Sequence, residues 1–212
     1  KPIAGEPGSA MHIHQSVVSR STGLNIFSNA DGTPSQEFFW YIGGLQKYIP
    51  AAMALFAPYV NSYRRLARHT AAPINIQWGT DNRTVGIRSP LATPQARRIE
   101  NRVIGADANP YVALAATLAC GWLGIQKRIE PSAECTGDAY LGAYELPRSL
   151  GEAITLLRDC DDLAEVLDGL RAVEALRGWG ALDKDMRYVK GRASADRRGW
   201  DKVTTDRKST RL

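Results

Sequence analysis

Cysteine is scarce in this chain: Cys120, Cys135 and Cys160 are the only three, an odd number without metal-ligand spacing. Neither a disulfide framework nor a zinc site is expected from this, and a reducing, cytoplasmic setting is. No apolar run approaches the roughly 20 residues of a membrane span, so no membrane partner is expected. The first residues, Lys1 to Glu6, lack the apolar core of a signal peptide and a starting Met, and read as lying inside a longer protein. A P-loop is missing as well: no G-x-x-x-x-G-K-[ST] pattern accompanies the arginine-rich middle of the chain.

What is present is ordinary globular material, 44% hydrophobic and 23% charged over 212 residues. The net charge of +5 is not spread evenly. Residues 1–167 hold 15 basic and 15 acidic side chains, whereas residues 168–212 hold 12 and 7, so the whole excess lies in the tail. Acids are interspersed there and no basic block forms, so a solvated or disordered end is expected and no nucleic-acid partner.

Short alternation from Ala10 to Val18 predicts a strand that carries His12 and His14 on one face. Gln36 to Ala57 has helical periodicity with a break expected near Pro50. "INIQW" and "TVGIR" read as strands around a polar turn at Gly79–Asn82. Asp107-Ala108-Asn109-Pro110 is a helix start, and the run that follows it is apolar on most sides and expected to be buried, Cys120 included. A loop is expected from Glu130 to Pro147, then a capping box of Ser149 and Glu152 ahead of "AITLLRDCDDLAEVL". Helices beside strands that need not be parallel predict an α+β fold.

Between Asn61 and Arg102 stand eight arginines, no lysine and two acids, Asp81 and Glu100. Arginine offers a planar fork that grips carboxylate or phosphate with two bonds at once, and a merely solvated face would mix in lysine. The set therefore points to an anionic ligand. Glu100, a lone acid among arginines, stays ionised. It is either a metal ligand or a structural partner of Arg98 or Arg102. His12 and His14 are either a functional pair or satisfied structural histidines.

The segments "GSAMHIHQS", "NSYRRL", "AAPINIQWGTDNRTVGIR", "ARRIENR" and "ADANPYVALAATLACG" resemble, in order, the C-terminal half of the glutamine synthetase catalytic domain, from about Pro7 to Leu167. The resemblance implies a curved antiparallel sheet with helices packed outside. It also implies an ATP-dependent ligase that phosphorylates the γ-carboxylate of glutamate and lets an amine displace the phosphate, with Mg2+ or Mn2+ as cofactor. Such chemistry needs positioning and charge neutralisation more than covalent help from the protein.

Carried over by position, His12 resembles a ligand of one metal ion and Glu100 a ligand of the other. His14, Ser16, Arg88 and Arg98 resemble nucleotide contacts. Gly8, Arg65 and Arg102 resemble the glutamate site, and Arg83 the catalytic arginine beside the transferring phosphate. The implied partners are glutamate, ATP and an amine, in a homo-oligomer of stacked rings with sites between subunits.

The chain departs from the family in two places. Ammonia-using members carry a flap glutamate after the "RL" motif, where this chain has Ala71 in "RLARHTAAP". Pro7 replaces the asparagine before the glycine of the histidine motif. A methyl group in place of the carboxylate suits a larger amine, and the wording is closest to the γ-glutamylpolyamine (γ-glutamylputrescine) synthetase branch. The alternatives are a true glutamine synthetase using ammonia and a non-catalytic family member acting as scaffold or regulator. The stretch from residue 168 does not follow the family's usual ending and reads as a divergent basic tail.

Overall fold

Alternation along the histidine segment and along "RRIENR" dictates the centre of the structure: two short strands, each with an apolar face and a polar one. The computed structural model describes residue 6 and residues 8–68 and 70–169. Pro7, His69 and the tail beyond Gly169 lie outside the described residues. The chain divides into two compact units, Lys1–Leu163 and Ala164–Leu212.

Four strands, β1 (Ile13–Gln15), β2 (Trp78–Thr80), β3 (Ile87–Ser89) and β4 (Ile99–Asn101), form one sheet in the order β1-β4-β3-β2. The pairs β1–β4 and β4–β3 are antiparallel, with His14 opposite Glu100 and Glu100 opposite Arg88. Ile13, Asn101 and Ile87 make the neighbouring row, which points to the other face. That face is buried against two helices: Asn101 Nδ2 donates to Thr117 Oγ1 at 3.1 Å, and the Tyr41 hydroxyl donates to the Gln15 side chain.

Those helices are α1 (Gln36–Phe56) and α2 (Pro110–Lys127). Ser35 caps α1 by accepting from Phe38 N at 3.2 Å, and Asn109 caps α2 by accepting from Tyr111 N at 3.0 Å. They cross where glycine permits it. A Cβ on Gly44 would stand 2.5 Å from the Cα of Gly124, and one on Gly121 would enter the ring of Tyr41. α3 (Leu150–Arg158) packs against α1, and α4 (Asp161–Gly169) follows after a two-residue break.

The α+β class stands, and several expected details change. The strand expected from Ala10 to Val18 is a three-residue ladder, continued only by single bridges at Ala10–Gly105 and Val18–Asn25. β2 and β3 run parallel, with Trp78 opposite Ile87, so the sheet is not wholly antiparallel. No hairpin closes at Gly79–Asn82, because the loop from Asp81 carries the chain back to the start of β2. There Gly86 N donates to Asn75 Oδ1 at 3.0 Å.

Pro50 does not break α1. A helix-interior proline costs about 3 kcal/mol, but the turns beyond it bury Ala52, Met53, Leu55 and Phe56, which offsets the loss. α2 is buried on one face only: Tyr111, Leu114, Leu118 and Trp122 form an exposed stripe at helical spacing. The capping box is altered, since Ser149 caps α3 but Glu152 reaches back to Arg148 N. Cys120 is buried and all three cysteines are free, as expected.

Replacing Gly124 with alanine forces apart backbones that now touch. The expected loss is about 3 kcal/mol, the upper end for overpacking, measured by urea unfolding. A loss under 0.5 kcal/mol would mean that the helices do not cross this closely.

Candidate functional site

The polar face of the sheet is built by period-two spacing. His12, His14 and Ser16 alternate along one chain segment and Arg98, Glu100 and Arg102 along the other, while Arg88 reaches in from β3. Glu100 is the hub. Its side chain is 3% exposed, and it is ringed by cationic and imidazole groups.

Glu100 Oε2 accepts from Arg88 Nη1 at 2.8 Å, and Oε1 accepts from Arg102 Nη1 at 2.9 Å. His12 Nδ1 lies 2.9 Å and His14 Nε2 3.8 Å from the same Oε1. Burial pushes the Glu100 carboxyl up. Hydrogen bonds from His12 and Arg88 and the charge of Arg102 outweigh it and hold the pKa at about 2. Burial pushes His14 down, opposed by Glu100 and assisted by Arg98. A neutral ring suits the bond in which Arg98 Nε donates to His14 Nδ1 at 3.3 Å.

A second group adjoins the hub. Gly8 lies flat against Arg65, where a Cβ would stand 2.7 Å from Arg65 Cγ. Arg65 is buried and donates to the carbonyl of Val103, next to Arg102. Burial lowers its pKa to about 10, against the pull of Asp107, and the like charge of Arg102 adds to the lowering. Arg102 also donates to the carbonyl of Arg83 at 3.1 Å. The three residues expected to hold glutamate are therefore neighbours.

The Arg83 guanidinium is exposed, and its place is set by Asn82. That side chain accepts from Thr84 N at 2.9 Å and donates to the carbonyls of Cys135 and Gly137 at 2.9 and 2.8 Å. Ser16 is exposed just beyond β1, away from the hub's bonds.

Not every arginine serves this face. Arg97 donates to the carbonyls of Gly32, Thr33 and Phe27 and to Ser28, and so clamps a turn. Arg68 donates to the carbonyls of Tyr140 and Gly142 and lies over the ring of Tyr144. Just after it, Ala71 is exposed with a φ of 60°, a left-handed conformation unusual for alanine. Asp81, which ion-pairs with Arg88, was missed as a site residue. The signal was available, since it is one of only two acids among the eight arginines.

Glu100 and His12 are oxygen and imidazole donors of kinds that Mg2+ or Mn2+ accepts. Among the described residues no group of three His, Cys, Asp or Glu side chains is arranged to hold a metal ion. The donors fit in type, and further ones have to come from elsewhere.

A buried acid with flanking imidazoles and a surplus of arginine is an arrangement suited in charge to anionic groups. The family model "Glutamine synthetase, catalytic domain" matches residues 1–174, and the chain belongs to that family. It is 40% identical over 178 residues to the glutamine synthetase of Thermococcus kodakarensis, covering 80% of this chain and 40% of that one. It is 36% identical over 173 residues to a glutamate–isopropylamine ligase of a Pseudomonas species, covering 79% and 37%.

Among solved structures, ligand-free GmaS superposes with a TM-score of 0.72 at 29% identity, covering all of this chain and 45% of that one. The GmaS/ADP complex gives a TM-score of 0.73 at 28% identity. The chain thus spans about two fifths of the length of the curated relatives it matches. The family is one of ATP-dependent glutamate ligases that use divalent metal ions and form oligomers.

Because its pKa is depressed, Glu100 contributes stability in full above about pH 4.5 and loses that contribution as the pH falls toward 2. Glu100→Gln should therefore be destabilised against the wild type at pH 7, with the gap closing below pH 4.5 in urea unfolding. A gap independent of pH would show that Glu100 is not held by its cations.

Proposed function

We propose that this chain carries part of the active site of an ATP-dependent glutamate–amine ligase that works through a γ-glutamyl phosphate. The observation that carries the reading is the row His14–Glu100–Arg88, flanked by His12 and Arg102 on one sheet face. In this reading Gly8, Arg65 and Arg102 orient glutamate. His14, Ser16, Arg88 and Arg98 hold the nucleotide, and Arg83 neutralises the transferring phosphate as charge builds on it.

His12 and Glu100 would hold the divalent ion, which would supply positive charge for the phosphoryl transfer. The resemblance gave these two residues to different ions. In the structure the two side chains are in direct contact, His12 Nδ1 2.9 Å from Glu100 Oε1, so an ion held by one would lie close to the other. The remaining ligands come from carboxylates elsewhere in the whole protein or in an adjoining subunit of a stacked ring. The catalytic half-domain over residues 1–167, followed by a divergent basic tail, and a cytoplasmic location complete the reading.

The amine is a polyamine such as putrescine. Ala71 supports this, because its methyl group stands where ammonia-using members carry a carboxylate, and ammonium needs a compact negative pocket. Similarity to a ligase named for isopropylamine supports an alkylamine in general. Similarity to glutamine synthetases favours ammonia as the second reading.

ADP release from the protein with ATP, Mg2+ and glutamate decides between them. Putrescine should be turned over at least about tenfold faster than ammonium, and Ala71→Glu should narrow the ratio. Equal or faster turnover with ammonium would overturn the polyamine reading, and no turnover with either amine by the whole protein, its remaining carboxylates included, would favour the non-catalytic alternative. Arg83→Ala should lower kcat by about 100-fold or more, the usual loss for one charge-stabilising donor, with little change in KM for glutamate.

A further inference from the structure

We propose that Arg88 stands in for a divalent cation at Glu100 and is exchanged for it, so that cation and phosphate bind this sheet face as a linked pair. The inference rests on the reading that Glu100 ligates a cation and Arg88 a phosphate. It adds the physical conflict between those two roles.

Both oxygens of Glu100 are already engaged, Oε2 by Arg88 at 2.8 Å and Oε1 by Arg102 and His12 at 2.9 Å each. A cation approaching the carboxylate would meet two guanidinium charges at contact range, in a spot where water screens little. One arginine has to give way.

Arg102 is tethered on its other side to the Arg83 carbonyl, and its side chain is 8% exposed. Arg88 is freer. Its side chain is 16% exposed, and its Nη2 is ion-paired with Asp81, whose side chain is 46% exposed. Both arginines have a buried Nε without a partner, so exposure and the Asp81 contact are what set Arg88 apart. Asp81 can therefore keep hold of Arg88 through Nη2 while the bond from Nη1 to Glu100 is released, which leaves Nη1 free to donate to a phosphate.

The exchange removes a guanidinium from Glu100 only when something else neutralises it. Phosphate on Arg88 should thus tighten cation binding, and the cation should tighten phosphate by the same factor. Asp81 is a positioning residue in this scheme: it sets where Arg88 goes on release.

Mn2+ binding tests the idea without turnover, by the electron paramagnetic resonance signal of the free ion with and without inorganic phosphate. In the wild-type protein phosphate should tighten Mn2+ about fivefold or more, the usual lower end for coupled sites. Arg88→Ala should bind Mn2+ about fivefold more tightly than wild type without phosphate, and should lose the phosphate effect. Arg88→Gln gives the same comparison if the alanine variant fails to fold.

The tightening should persist at 0.5 M KCl, because a contact pair is screened far less than a diffuse field. Unchanged or weaker Mn2+ binding in the variant, a phosphate effect that survives without Arg88, or no Mn2+ binding at all would overturn the proposal. Linked Mn2+ and phosphate binding together with no ATP consumption by the whole protein would refute the ligase reading alone.

Discussion

Everything on the polar sheet face depends on keeping one carboxylate ionised where it is almost wholly shut off from water. Desolvation alone would push the Glu100 carboxyl toward its neutral form. Arg88, Arg102 and His12 prevent this, and their own positions follow from serving that one group. Arg88 comes from the strand beside β4 and His12 from the segment entering the strand on its other side, so the ion-pair network and the strand register constrain each other. A one-residue slip of β1 would turn both histidines into the core and Ile13 out of it.

The platform beneath the site is rigid for a different reason. Close crossing of α1 and α2 through Gly44, Gly121 and Gly124 leaves room for the sheet to settle on both helices, through Tyr41 to Gln15 and Thr117 to Asn101. The loops gain order from side chains that bond backbone: Asn82 fastens the Arg83 turn to the 135–137 segment, and Arg68 fastens the stretch before Ala71 to Tyr140 and Gly142. Arginines that look alike in the chain thus divide between ligand face and scaffold. The division follows from whether a carboxylate or a backbone carbonyl lies within reach.

Strand direction and helix continuity were the least legible features. A turn-rich "GTDN" between two apolar runs suggests a hairpin. The loop's bonds to Asn75 instead return the chain parallel to β2, and a contact between residues 75 and 86 leaves no local mark. Likewise Pro50 ends a helix only if nothing beyond it repays the lost bond, and four buried residues beyond it do. The exposed stripe of α2 was hidden because an apolar composition does not say which face meets a neighbour.

By itself the chain determined the α+β class, the family and the list of charged residues to watch, because alternation, capping and motif order are local properties. It also determined that His12 and His14 share a face, since strand period alone does that. Only the tertiary structure decided that Glu100 is the common partner of two arginines and a histidine, that Asp81 belongs with them, and that Arg68 and Arg97 do not. Those facts are distances across 2 to 88 positions of chain, and electrostatic partnership is set by where the backbone brings charges together rather than by which charges are present.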